Sequence, residues 1–472
     1  MSHVQLGEIY KVFTGSDIRC AIMKLKHSIG PDCIHSNHLK LCTSLFEDLL
    51  AVLFSSFISH VYISLDLIKG IINPTLKDRF GDLQSSDNYR PVMSSSVILK
   101  LFEYCLLDKI SDFFVFNDRQ YGFRNNHSTS SACFVLKETV LCYMNANSSV
   151  HACFLDIQKA FDNVNHMILL EKLREYGIPD IYINIIKYWY SNQFVRVRYG
   201  TKFSSEWMVC NGVRQGGVLS GLFFNLYIDS LLSTVSEMKI GCRLGITMSN
   251  IIAYADDIVL LAPSATALQL LIDKCVNEAS KLQLAFNENK SKCMVFKSNS
   301  RVKVLSNRYL LNGSYVEIVK SFKYLGYFIQ DNLCNAKDIT ETMNRFYREF
   351  NIVLRKFNFA DSSVKLYLFK QCCLQFYGCE MWFANERALS QLSQFAVAYH
   401  KAIKKLLGLS MHESNHYACQ EARLFTFEHM LNKIRIFFVY RLLEHPCPFL
   451  EKTRNFFRII ISFVSGSERD FN

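Results

Sequence analysis

The stretch IIAYADDIVLLA, residues 251–262, sets Asp256 and Asp257 side by side inside an otherwise apolar run. A buried carboxylate with no partner is costly, so a core strand that carries two of them must offer them to something cationic. The flanking residues read as two strands around a tight turn, with Asp256 at the apex and its carboxylate projecting to one side. An isolated Asp-Asp pair is otherwise most simply a solvated turn; the apolar flanks weigh against that here. One such pair rarely closes a two-metal site, so another acid is needed on a neighbouring strand. HACFLDIQKAFDNVNH, residues 151–166, supplies it: Asp156 ends an apolar strand and precedes a helix-forming segment. If the two strands pair centrally, Asp156 and Asp256 face each other. They could then hold two Mg²⁺ ions about 4 Å apart, the arrangement that stabilises attacking and leaving oxygens in phosphoryl transfer.

Around this pair the chain reads as helices, then strands interleaved with helices, then a helical tail. Residues 1–70 read mostly as helix, and 73–92 as a polar, turn-rich stretch leading into the helical pattern SSSVILKLFEYCLLDKISDFF. VHACFLDI is a buried strand, FVRVRYG and EWMVCNGV a hairpin, 218–236 an apolar helix, 264–284 a helix, CMVFK a strand, and KSFKYLGYFI a strand pair. From about 336 onward the pattern is helical. This is an α+β core flanked by helical lobes.

A formal charge of +11 favours a polyanionic partner, a modest signal over 472 residues. The 17 cysteines are scattered with no C-x-x-C pair, and Cys372, Cys373 and Cys379 have no histidine at ligand spacing, which speaks against structural zinc. Without a signal peptide, the plain reading is an intracellular protein with reduced thiols. LLAVLFSSFISHVYISL, residues 49–65, is shorter than the ~20 residues of a membrane span and carries four serines. It reads as a buried core helix.

Taken in order, these segments resemble the reverse transcriptases of non-LTR (LINE-type) retrotransposons. SSDNYRPV (85–92) resembles the fingers motif and QYGFRNNHST (120–129) the segment before the palm. FLDIQKAFD (154–162) resembles polymerase motif A, GVRQGGVLSGLFFN (212–225) motif B, AYADDIVLL (253–261) motif C, FNENKSKCMVF (286–296) motif D, and FKYLGYFI (322–329) the primer grip. KLKHSIGPDCIHSNHLK (24–40) is similar to the family's N-terminal extension, while the part after 336 is like its thumb only loosely. The resemblance implies a right-hand polymerase of fingers, palm and thumb with helical N- and C-terminal extensions. Its boundaries would be 1–70 for the N-terminal extension, 71–335 for fingers and palm, and 336–472 for thumb and C-terminal extension.

It also implies roles. Asp156 and Asp256 would be the metal ligands, Asp257 would support them, and the Ile157 backbone carbonyl would complete a metal shell; Mg²⁺ is the expected ion, with Mn²⁺ able to substitute. Phe161 stands where the family carries a bulky aromatic under the sugar, there excluding a 2′-hydroxyl. Lys77 and Arg90 would neutralise the nucleotide's phosphates; a solvated loop lysine is an equal reading for Lys77. Gln215 and Gly216 would open the motif B helix close to the templating base pair. Lys290 would act as general acid toward pyrophosphate or is simply a surface lysine. Tyr324, Leu325 and Gly326 would hold the primer terminus, or form a plain hairpin. HKAIKKLLGL (400–409) either grips a duplex backbone or presents a solvated face.

The chain departs from the family at Gly221, where motif B usually has proline, and at Cys33, where glycine is frequent. Neither touches the proposed ligands. Nothing in residues 1–70 fits an endonuclease, and no cysteine-histidine knuckle is present, so the expectation is a polymerase module, an element fragment or a domesticated copy. The partners implied are an RNA template, a DNA primer and deoxynucleoside triphosphates, with no membrane, and the place of action the nucleus. Two rival readings stand beside it: a group II intron maturase-like or other cellular reverse transcriptase, and a non-catalytic RNA-binding protein on a polymerase scaffold.

Overall fold

A strand as uniformly apolar as VHACFLD stays buried only if other elements flank it and cover its faces, and this requirement organises the sheet that carries the acids. The computed structural model describes residues 11–298, 308–382 and 386–444; the start of the N-terminal extension (1–10) and the end of the C-terminal one (445–472) lie outside the described residues. The chain gathers into two units, each discontinuous in sequence. One holds Met1–Phe123, Ile157–Thr234 and Cys275–Ala285; the other holds Arg124–Asp156, Val235–Lys274 and Phe286–Asn472.

In the first unit, helix Gly15–Lys24 begins at a capping box. The Thr14 hydroxyl accepts from the Asp17 N–H, and the Asp17 carboxylate accepts from the Thr14 N–H at 2.9 Å. The apolar run at 49–65 lies mainly in helix Ser44–His60, which stops where Val61 turns left-handed at φ 48°. Leu50, Phe54, Phe57 and Ile58 bury one face, and Phe54 meets Phe102 with ring centroids 5.2 Å apart. Leu45, Leu49 and Val52 on the other face are exposed. The expected core helix is therefore only half buried, because neighbouring elements cover a single stripe of it. Among the described residues no helix is long and apolar enough to cross a membrane.

The same unit carries a small sheet in the order Tyr89–Ser94, Gly70–Leu76, Phe194–Tyr199, Lys202–Phe203, with Trp207–Met208 also paired to Phe194–Tyr199. Gly70–Leu76 runs antiparallel to Tyr89–Ser94, with Thr75 opposite Arg90. The stretch at 73–92, turn-rich in sequence, is thus a β-ribbon whose two ends pair. Pro91 is accommodated because Tyr89–Ser94 is an edge strand, and Pro74 lies beyond Gly70, Ile71 and Ile72, the residues of its strand that pair with Phe194–Tyr199.

In the second unit, six strands run in the order Tyr309–Leu311, Ser314–Ile318, Lys292–Phe296, Val150–Asp156, Asp257–Ala262, Ile251–Tyr254. Val150–Asp156 lies between two antiparallel neighbours, and all its residues but the last are buried. Two interior strands without a polar face explain why the sequence shows continuous apolar runs instead of alternation. Beyond the sheet come the hairpin Ser321–Tyr324/Tyr327–Gln330 and a helical segment of the same unit. Helices Ala336–Lys356, Ser362–Cys372, Glu386–Leu407 and Phe427–Leu443 share a core of Phe346, Phe369, Phe395, Tyr399 and Phe427.

Candidate active site

The strand Val150–Asp156 is held at its polar end by the loop that follows Phe286. The Asp156 N–H donates to Ser291 Oγ at 3.2 Å, and its carbonyl accepts from the Asn287 N–H at 2.8 Å. Asp156 is thereby fixed at the mouth of the sheet, the one partly exposed residue of its strand. Across from it the strands Ile251–Tyr254 and Asp257–Ala262 turn back on each other through two residues, Ala255 and Asp256, closed by the pair Tyr254↔Asp257. Ala255 takes a left-handed φ of 54°, which costs a residue with a Cβ about 1–2 kcal/mol. That strain sits where the acids are presented.

Register then decides which acid meets which. Asp257 pairs directly with Asp156, and Asp256 occupies the turn one residue earlier. The sequence alone suggested Asp256 opposite Asp156. The two-residue turn shifts the facing position by one and leaves Asp256 at the apex. Three carboxylates therefore stand on two neighbouring strand ends. Packing around Asp257, and then the negative charges of Asp256 and Asp156, push its carboxyl up to about 7. Its side chain still reaches solvent, which tempers the packing contribution; the charge repulsion stands. Lys290, on the motif D loop, brings its Nζ to 4.0 Å from Asp156 Oδ2.

Among the described residues no group of three His, Cys, Asp or Glu side chains converges as a ready-made metal cage. The donor set nonetheless fits Mg²⁺. That ion is held by one or two carboxylates together with waters and substrate phosphates rather than by an all-protein cage, and the excess negative charge at Asp257 is what a divalent cation would relieve.

The remaining motif residues are distributed between the two units. In the first, Ile157 begins the segment after Asp156 with its side chain buried. Phe161 stacks on Phe224 at 4.9 Å and an interplanar angle of 12°. Lys77 and Arg90 are both exposed on the same ribbon; Lys77 Nζ donates to the Asp87 carbonyl at 2.8 Å. Gln215 and Gly216 do not open a helix: motif B's helix is Ser220–Ser236, and both residues lie in the turn before it. The reason is local. Gly216 has φ 112°, and a Cβ there would fall 3.1 Å from the Met93 carbonyl, so the glycine is needed for close approach to the Tyr89–Ser94 strand. The Gln215 carbonyl accepts from the Met93 N–H at 2.8 Å, and its side chain donates to Asp162 Oδ1 at 3.0 Å.

In the second unit, Tyr324 closes a hairpin whose turn residues, Leu325 at φ 47° and Gly326 at φ 88°, are both left-handed. This is the conformation a two-residue turn needs to match strand twist.

Two groups of residues escaped the sequence reading. Arg214, within GVRQGG, is buried in an ion pair with Glu103 and lies 4.1 Å from the centroid of the Trp189 ring. Glu103 also accepts from the Val218 N–H at 3.2 Å, so the turn before the motif B helix is pinned from inside. The second group clasps the Leu325–Gly326 turn. The Tyr377 ring fills the space where Gly326 would carry a Cβ, and the Tyr327 ring does the same at Gly378. The Tyr377 hydroxyl donates to the Leu325 carbonyl at 2.8 Å, and Tyr327 shares a buried hydrogen-bond cluster with Ser130 and Glu380. The signal available was the pair LGY and YGC, two glycines each beside a tyrosine, about 50 residues apart.

Residues 77–329 match the protein family described as "Reverse transcriptase (RNA-dependent DNA polymerase)". The chain is 25% identical over 337 residues to the "Retrovirus-related Pol polyprotein from type-2 retrotransposable element R2DM" of Drosophila melanogaster, covering 69% of this chain and 31% of that protein. It is 24% identical to the "Probable RNA-directed DNA polymerase from transposon BS" of the same fly, with 77% and 41% covered. With the "RNA-directed DNA polymerase from mobile element jockey" of Drosophila funebris it shares 25% identity over 82% of this chain and 43% of that one. The chain thus spans between 31% and 43% of the length of these relatives. An apo telomerase structure from Candida tropicalis aligns with TM-score 0.43 and 12% identity, covering 77% of this chain and 63% of that one.

Proposed function

Because this chain belongs to the reverse transcriptase (RNA-dependent DNA polymerase) family, we propose that it copies an RNA template into DNA, transferring deoxynucleotides to a primer 3′-hydroxyl. The observation that carries this reading is the register of the two interior strands. Asp257 faces Asp156, and Asp256 stands on the adjoining turn, so three carboxylates share the end of one sheet. Asp256 and Asp156 both push the Asp257 carboxyl upward, a repulsion that a cationic occupant would relieve.

In this reading Asp156, Asp256 and Asp257, with the Ile157 carbonyl, hold two divalent ions, Mg²⁺ or Mn²⁺ in its place. Such ions supply charge neutralisation for the attacking hydroxyl and the departing pyrophosphate. The chain's own groups orient and exclude. The hydrogen bonds to Ser291 Oγ and from the Asn287 N–H fix the backbone of Asp156, and with it the strand end that carries its carboxylate. Lys290, whose Nζ lies 4.0 Å from Asp156 Oδ2, would give a proton to the pyrophosphate oxygen as it departs. Lys77 and Arg90 meet the triphosphate, the Phe161 ring lies under the sugar, and Gln215 and Gly216 shape the backbone near the templating base. The Tyr324–Gly326 turn holds the primer terminus. For the groups outside the acidic sheet end, the support is the order of motifs along the chain. Fingers, palm and thumb are assigned as fingers and palm over 71–335 and thumb and C-terminal extension from 336, after a helical N-terminal extension up to 70. An element of non-LTR type priming at chromosomal DNA would act in the nucleus.

Primer extension on an RNA template with a DNA primer tests the reading. Asp256→Asn should lower the extension rate in Mg²⁺ on the order of 10³-fold, while template–primer affinity measured by fluorescence anisotropy changes little. A wild-type chain that binds template–primer yet never extends it would instead be a non-catalytic RNA-binding protein on a polymerase scaffold.

A further inference from the structure

The segment QYGF ends in a residue whose backbone it should not favour. Phe123 has φ 52°, in the left-handed region that bulky side chains avoid. The conformation is held from below. The Gly122 N–H donates to Gln120 Oε1 at 2.8 Å, and the Gly122 carbonyl accepts from Asn225 Nδ2 at 2.7 Å. Asn225 follows Phe224 on the motif B helix, so the segment is tied down beside the ring on which Phe161 stacks.

This pose places the Phe123 ring over Gly221. A Cβ added at Gly221 would fall 2.4 Å from Phe123 Cγ and Cδ1, far inside contact distance, so the ring can lie there only because position 221 is glycine. The departure from proline in motif B and the unusual backbone at Phe123 are therefore one feature. What it achieves is a second neighbour for Phe161. The Phe123 ring meets the Phe161 ring edge-on, with centroids 6.0 Å apart at 68°, while Phe224 stacks beneath it. A ring with one stacked ring neighbour can slide in its own plane; a second ring inclined at 68° to it restricts that motion. Phe123 itself is 51% exposed, so it is not serving as core filling.

We propose that Phe123 is a positioning residue for sugar selection, fixing the Phe161 ring from the side with the Gly221 gap as its seat. This rests on reading Phe161 as the ring that excludes a 2′-hydroxyl. Small displacements matter in such a role, since the difference between a deoxyribose and a ribose is one oxygen atom.

The test compares incorporation efficiencies, kcat/KM, for a deoxynucleotide and the matching ribonucleotide on one template–primer. Phe161→Ala should reduce the deoxy:ribo preference by about 100-fold. Phe123→Ala should reduce it by about ten-fold, and Gly221→Ala, which displaces the Phe123 ring without altering it, should reproduce that loss. The variant carrying both Phe123→Ala and Gly221→Ala should lose no more than either of those single ones, and Phe123→Tyr should keep the preference. Loss of folding alone would lower both efficiencies together and leave their ratio intact, which counts against the proposal. If Phe161→Ala removes the preference but Phe123→Ala and Gly221→Ala keep it within about two-fold of wild type, the role of Phe123 is overturned and that of Phe161 survives. If Phe161→Ala leaves the preference unchanged, the reading of Phe161 falls first and the inference falls with it.

Discussion

Asp257 is the residue at which the chain gives up stability for its site. It lies opposite Asp156 and next to Asp256, and without a cation its carboxyl is held up near 7 by packing and by those two charges. Replacing it by asparagine keeps the shape and removes one of three repelling charges. Asp257→Asn should therefore raise the stability of the metal-free protein at pH 8 by about 1 kcal/mol, a figure discounted for the solvent that reaches the side chain. Urea unfolding in the presence of a chelator measures it, and a drop in stability would mean that Asp257 has an unrecognised favourable partner. Primer extension by the same variant should fall. At this scale much of the candidate site was legible, because acids at the ends of apolar runs are too costly to be incidental. Which acid faces Asp156 was not. A turn of two residues and a turn of three leave the same letters in the sequence but shift the pairing by one position. The Arg214–Glu103 pair was hidden for another reason: its members are 111 residues apart, and neither stands out locally.

The elements themselves followed the periodicity of the chain where one force dominated. The helix Ala336–Lys356 buries Phe346, Phe350 and Val353 at helical spacing, and the interior strands are continuous apolar runs. The hairpin Ser321–Tyr324/Tyr327–Gln330 was equally readable as a hairpin, but what holds it was not, since its clasp comes from the turn at 377–378. Each tyrosine ring occupies the missing Cβ of the other turn's glycine, with the two rings 5.0 Å apart. Gly326→Ala and Gly378→Ala would each put a methyl group 2.7 Å from a ring atom and force a left-handed φ on alanine. Each should cost about 2–3 kcal/mol. Because both changes open the same clasp, their effects in the double variant should sum to less than the two singles, by about 1 kcal/mol or more. Strict additivity in denaturant unfolding would show that the two turns are independent. Tyr377→Phe removes only the hydroxyl that donates to the Leu325 carbonyl and should cost about 1 kcal/mol. If the turn holds the primer terminus, the same variant should raise KM for template–primer more than it lowers kcat.

Over the molecule as a whole, acid should be the effective denaturant, and buried histidines set where it acts. His151 lies in the interior strand with its Nδ1 2.5 Å from the Tyr309 hydroxyl, and burial holds its imidazole below the ordinary range. Burial does the same to His166, which bonds the Gly212 carbonyl at 2.8 Å. It does so again at His400 among the C-terminal helices, where Lys404 adds to the effect and the Ala396 carbonyl and Glu428 oppose it. In the unfolded chain each histidine takes up its proton near pH 6.5, whereas in the folded chain it does so only at lower pH. Across that interval the unfolded state binds more protons, so unfolding free energy rises with pH. The histidine contribution is intact above about pH 7 and is lost as pH falls through 6.5. The slope is at most about 1.4 kcal/mol per pH unit for each histidine. Asp257 works in the opposite sense, because its raised folded value lets the native state take up a proton first between about 7 and 3.8. The experiment is therefore cleaner in the Asp257→Asn background, where this opposing titration is removed. There, stability in urea should decline steadily from pH 7.5 to 5.5, and His151→Gln should flatten the slope. Since His166 belongs to one unit and His151 and His400 to the other, helix and sheet signals alike should weaken on acidification. A stability that is level or rising toward pH 5.5 in that background would mean that these imidazoles are not held below the ordinary range in the folded protein, and the assignment of acid sensitivity to them would fall.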